Sequence, residues 1–99
     1  MKHQTTGSEL AIFFEEDLIS TSVQSLFGPC KDLLVETEGL TKVVVDLAKV
    51  KMVDSQGLNL LVALYQECKK KNRQYQVTGV SPSLKRLFDF VKMSERFGL

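Results

Sequence analysis

Ninety-nine residues, 43% of them hydrophobic and 25% charged, fit one small globular domain spanning 1–99 and exclude a disordered chain. A formal net charge of +1 gives no electrostatic basis for binding nucleic acid or an anionic membrane. No apolar stretch can span a bilayer and no apolar signal region follows Met1, so we expect a cytoplasmic protein without membrane insertion.

In chain order, residues 2–6 are expected to pair through a turn at Gly7-Ser8 with residues 9–14. The latter carry the run Leu10-Ala11-Ile12-Phe13-Phe14 and read as a buried strand. Val23, Leu26, Phe27, Cys30, Leu33 and Leu34 then recur at helical spacing. Ser20, Thr21 or Ser22 is a suitable cap for that helix, and Gly39 closes the segment. Gly28-Pro29 predicts either a kink or a late start with Pro29 in the first turn, because proline removes an intrahelical hydrogen bond.

Residues 43–47, Val-Val-Val-Asp-Leu, predict a central strand covered on both faces. A second helix is expected over 55–71, with Leu58, Leu61, Val62, Tyr65 and Cys68 as its apolar stripe, broadened by Leu64. Asn72 suits a left-handed stop. Residues 74–78 read as a further strand. Ser81-Pro82 signals a third helix, with Leu84, Leu87, Phe88 and Val91 facing inward. The tail is expected to pack through Phe97 and Leu99. This alternation predicts an α/β fold: a small, mostly parallel sheet with an antiparallel N-terminal edge and helices packed against it. Sites in such sheets lie at the carboxyl ends of the strands.

Asp54-Ser55-Gln56-Gly57 lies at that end, on the loop entering the second helix. Capping accounts for Asp54 or Ser55 at such a position. Gly57 asks for more, since a glycine in the first helical turn costs about 1 kcal/mol relative to alanine. Close approach of another backbone or of a partner would offset that cost. A hydroxyl at this turn also sits where free N–H groups and the positive end of the helix dipole converge, a suitable place for a phosphate. Ser55 is not a nucleophile by these residues: the one histidine is His3, in the terminal segment, and no Gly-x-Ser-x-Gly turn is present.

Neither a Walker sequence nor Gly-x-Gly-x-x-Gly occurs, so no enzymatic activity and no cofactor are expected. A metal site is not expected either, with a single histidine and no Cys-x-x-Cys pair. Cys30 and Cys68 read as free buried thiols. Glu15-Glu16-Asp17 reads as a solvated loop, and Lys69-Lys70-Lys71 with Arg73 as cations complementing a helix C-terminus. Lys85-Arg86 reads as surface charge, with a partner or an anion near Ser55 as the alternative.

Residues 43–47, followed after a short gap by Val53-Asp54-Ser55-Gln56-Gly57-Leu58, resemble the STAS domain of anti-sigma factor antagonists. The run Ser81-Pro82-Ser83-Leu84-Lys85-Arg86-Leu87-Phe88-Asp89 resembles a late helix of the same family, and the likeness extends over 9–93. It implies a STAS-like mixed sheet and a non-enzymatic switch. Ser55 would be phosphorylated by a partner anti-sigma factor serine kinase and dephosphorylated by a serine phosphatase. The implied partner surface is Asp54, Ser55, Gln56, Gly57 and Asn59, with Ser81 and Ser83 near its rim. Phosphorylation adds about −1.5 to −2 charge. A partner that buries the neutral hydroxyl would meet a dianion, and a penalty of ~3 kcal/mol weakens binding about a hundredfold.

The resemblance also carries departures. Relatives usually have Gly-x-Leu-Asp after the early strand, where this chain has Glu16-Asp17-Leu18-Ile19. Asn72 stands where a glycine usually precedes the last strand. Two further roles are open: a STAS subunit of a phospholipid-transport ATPase, with an unmodified serine loop, and a module of a response-regulator or chemotaxis-like pathway.

Overall fold

A computed structural model describes all 99 residues. The order is β1 (Lys2–Thr6), β2 (Glu9–Phe13), α1 (Ser20–Glu36), β3 (Lys42–Asp46), α2 (Ser55–Lys70), β4 (Gln74–Thr78) and α3 (Pro82–Phe90). The four strands form one sheet in the order β1-β2-β3-β4. β1 pairs antiparallel with β2, while β2–β3 and β3–β4 are parallel. The predicted α/β fold, a mixed sheet with packed helices, is therefore observed. No helix is long and apolar enough to cross a membrane.

The register explains which sheet face is buried. Leu10, Val43 and Tyr75 align across β2, β3 and β4, as do Ile12, Val45 and Val77, and all six are buried. The intervening row, Ala11, Val44 and Gln76, is only half-buried. With a period of two, one face carries the core and the other meets solvent. This corrects the expectation that residues 9–14 are wholly buried and 43–47 covered on both faces: Phe13, on the open side, is 38% exposed.

α1 runs unbroken through Pro29, so the late start is overturned. Proline deprives the Ser25 carbonyl of its N–H partner. Ser25, Gly28 and Pro29 all lie on the exposed side, where water can satisfy that carbonyl. Val23, Leu26, Cys30 and Leu34 face inward. Ser20, Thr21 and Ser22 lie inside the helix, and Ile19 occupies the cap position. Ser22 compensates in part: its Oγ accepts the Ile19 N–H at 3.2 Å.

α2 turns a slightly different face inward than its stripe suggested. Gly57, Leu60, Leu61, Leu64, Glu67 and Cys68 are buried, whereas Leu58, Val62 and Tyr65 are half-buried flanks. Glu67 is paired with Lys70 at 3.4 Å and Lys31 at 3.9 Å. Lys71 and Arg73 complement the neighbouring helix: Lys71 Nζ donates to the Val35 carbonyl, and Arg73 donates to those of Leu34 (2.6 Å) and Thr37 (2.7 Å) at the end of α1. Asn72 adopts the expected left-handed conformation, φ 56°.

Ser81 caps α3 through Oγ, accepting the Leu84 N–H at 3.2 Å, with Pro82 next to it. Behind α3, Phe97 is fully buried, 5.2 Å ring to ring from Phe88 and 5.9 Å from Tyr75 in edge-to-face geometry. Leu99, expected to pack beside it, remains 38% exposed. Both cysteines are free and buried, and desolvation pushes each thiol up to about 11.

Candidate functional site

The site is assembled from two loops beyond the carboxyl ends of β2 and β3. Residues 17–19 and 51–54 run side by side, joined by a parallel bridge between Leu18 and Val53. The Leu18 N–H donates to the Met52 carbonyl at 3.0 Å, and the Asp54 N–H donates to the Leu18 carbonyl at 3.1 Å. Asp17 fixes the second loop from below, its Oδ1 accepting the N–H groups of Lys51 (2.8 Å) and Met52 (3.1 Å). Two members of the acidic run are thus structural, since Glu15 pairs with Lys2 and the N-terminal ammonium while Asp17 holds the loop.

Asp54 is the cap of α2 and something more. Oδ1 accepts the N–H groups of Gln56 and Gly57, each at 2.9 Å. Oδ2 accepts the Ser20 N–H at 2.8 Å, in the first turn of α1. One carboxylate therefore serves two helix N-termini, including the one that Ile19 cannot cap with a side-chain oxygen. The Gly57 N–H, together with those of Ser20 and Gln56, holds the Asp54 carboxyl below its ordinary range, against a raising effect of desolvation.

Gly57 is explained by the same geometry. A Cβ built on it would lie 2.0 Å from the Leu18 carbonyl oxygen. The backbone of the 17–19 loop thus packs directly on the first turn of α2, and any side chain at 57 would drive them apart.

Ser55, at the first position of α2, is exposed. Gln56 and Asn59 are exposed as well, and Asn59 lies one turn beyond Ser55 on the same face. The expectation of several free N–H groups around Ser55 needs correction. Those of Gln56 and Gly57 are taken by Asp54, and that of Leu58 bonds the Asp54 carbonyl. Only the N–H of Ser55 itself is left without a partner.

Beside this turn lies a recess of about 340 Å³ lined by Ser20, Val23, Gln24, Phe27 and Gln56. Its α1 wall was missed in the sequence. The available signal was Ser20, Gln24 and Phe27 at helical spacing alongside the buried stripe. Met52, two residues before Asp54, is 62% exposed and adds an apolar edge to the loop. Ser81 and Ser83 are less integrated: the Ser81 hydroxyl is engaged in capping α3, Ser83 is exposed, and neither hydrogen-bonds residues 54–59. Lys85 pairs with Asp89 at 2.6 Å rather than reaching toward Ser55.

The STAS domain family model matches residues 1–99. Among solved structures, a Thermotoga maritima protein provisionally assigned as an anti-sigma factor antagonist superposes with a TM-score of 0.86 at 13% identity, covering 95% of this chain and 80% of that one. The Bacillus cell fate determinant SpoIIAA in its phosphorylated form gives 0.75 at 15% identity, covering 95% and 85%. A sulfate transporter family protein from Wolinella succinogenes gives 0.78 at 16% identity, covering 92% and 72%.

Proposed function

The chain belongs to the STAS domain family, and from that premise we propose that it is an anti-sigma factor antagonist switched by phosphorylation of Ser55. The observation that carries this reading is the placement of Ser55: exposed, at the first position of α2, on a turn fixed by the Asp54 cap and the Gly57–Leu18 contact. A kinase can reach such a hydroxyl without unfolding anything. On this reading the protein is not an enzyme and works in the cytoplasm. Its unmodified form binds an anti-sigma factor serine kinase, and a serine phosphatase restores that form after phosphorylation.

On this reading the partner surface combines Asp54, Ser55, Gln56 and Asn59 with the α1 wall at Gln24 and Phe27; Gly57, buried against Leu18, shapes the turn without being contacted, and Ser81 and Ser83 are assigned to its rim. The switch is electrostatic. A phosphate on Ser55 would lie beside the anionic Asp54, with most of the first-turn amides already engaged. A partner packed on this turn would have to desolvate both charges. Affinity capture from the native host tests this: wild-type protein should retain a serine kinase, and Ser55→Asp should lose it. Equal retention by both would refute the switch.

One observation favours a second reading, a STAS subunit of a phospholipid-transport ATPase. The occupied amides give a phosphate on Ser55 little local support, which suits a loop that contacts its partner unmodified. Under that reading the captured partner is a membrane ATPase, and Ser55→Ala leaves its capture intact.

A further inference from the structure

We propose that the groove between the second half of α2 and the tail following α3 binds a small phosphate monoester bearing an aromatic or apolar group. The groove, about 340 Å³, is lined by the apolar Val62 and Met93 and the Tyr65 ring together with Gln66, Lys69 and Arg96. A second recess of about 550 Å³ shares Tyr65 and Arg96 and adds Lys92 and Glu95. Tyr65 lies ten residues beyond Ser55 on the same helix, ~15 Å along its axis, so this is a separate site.

Lys2, Lys31, Lys70 and Lys85 pair with carboxylates, and Lys71 and Arg73 bind carbonyls. Lys69, Lys92 and Arg96 form no ion pair, and the one partner of the Arg96 guanidinium is the Met93 sulfur at 3.8 Å. Lys42, Lys49, Lys51 and Arg86 also form no ion pair, but among the unpaired cations it is Lys69, Lys92 and Arg96 that line these two recesses. Three cations and one carboxylate, that of Glu95, therefore line the two adjoining recesses, leaving a concave surface with an excess of positive charge. A phosphate dianion matches that excess, and the guanidinium can grip it through two parallel N–H bonds. The lining of Val62, Tyr65 and Met93 suits the apolar part of the same molecule.

Lys92 supplies an independent observation. It has φ 61°, locked by the Met93 N–H donating to the Phe88 carbonyl (2.8 Å) and its own N–H to that of Asp89 (3.1 Å). This is the left-handed position ending a helix, where glycine is favoured and a side chain is strained. Lys92 thus holds a backbone conformation that its side chain disfavours, and it lines the recess.

The test is a titration of the whole protein followed by amide and methyl NMR, with phenyl phosphate, inorganic phosphate and phenol as probes. Phenyl phosphate should shift Tyr65, Gln66, Met93 and Arg96 saturably, and either half-molecule should bind at least roughly tenfold more weakly. Lys92→Gly and Arg96→Gln should each weaken phenyl phosphate by roughly tenfold or more. Lys92→Gly should also melt at or above the wild-type temperature, because it relieves the strained backbone and so separates lost binding from lost folding. Absence of saturation, equal binding of inorganic phosphate, or unchanged affinity in both variants would overturn the proposal.

Discussion

The backbone N–H of Ser20 donates to Oδ2 of Asp54 at 2.8 Å across 34 residues of sequence, tying the start of α1 to the cap of α2. Because Oδ1 of the same carboxylate holds Gln56 and Gly57, the two helix N-termini flanking Ser55 share one anion. Whatever perturbs that anion perturbs both walls of the recess beside Ser55.

Asp54→Ala should therefore lower the urea midpoint more than loss of one helix cap would, and hydrogen exchange should quicken in the first turns of both α1 and α2. Asp54→Ser, which can keep the α2 cap but cannot reach both helices, should restore protection in α2 alone.

The same carboxylate gives a pH dependence with a definite sign. Its folded pKa is depressed, so its stabilising effect is fully present above the unfolded value of about 3.9 and is lost as pH falls through the lower folded value. Asp89, depressed by the Lys85 hydrogen bond and by that of Ser94, acts in the same direction. Stability should fall on acidification through this window. Asp54→Asn should flatten the fall, as measured by urea midpoints across acidic buffers.

Gly57 and Gly28 should respond in opposite ways to alanine. At 57 the new methyl collides with the Leu18 carbonyl oxygen, and the loss should reach about 2–3 kcal/mol despite alanine's better helix propensity. At 28, inside α1, nothing lies within 4 Å of the new Cβ, and alanine should add roughly 0.5–1 kcal/mol. Chemical denaturation of the two single variants checks both signs.

Arg73→Lys should cost about 1–2 kcal/mol, because a point-like ammonium cannot hold the carbonyls of Leu34 and Thr37 together. Exchange should quicken at the C-terminal end of α1 while α2 stays protected.

Much of this fold was legible where a single residue type has a single local use. Ser81-Pro82 gave the start of α3, Asn72 the left-handed stop after α2, and the 74–78 run matches β4. Gly57 was legible as a demand for close approach, though not as contact with Leu18. Pro29 misled because its cost depends on whether the freed carbonyl reaches water, which depends on which way that face of α1 points. The burial of a single sheet face was hidden for a similar reason: valines at 43–45 read the same whether one face or two are covered. The Asp54 bond to Ser20 was invisible because it joins loops that meet only after β2 and β3 have paired. Residues 54–57 could be singled out from local sequence, whereas the α1 wall of the recess depended on tertiary packing.

The central claim is that Ser55 is a phospho-acceptor, and intact-mass analysis of the protein from its native host tests it most directly. Across growth, starvation and stress, a form heavier by one phosphoryl group should appear in wild type and vanish in Ser55→Ala. A single unmodified mass under all three conditions, with a membrane ATPase co-purifying, would contradict it.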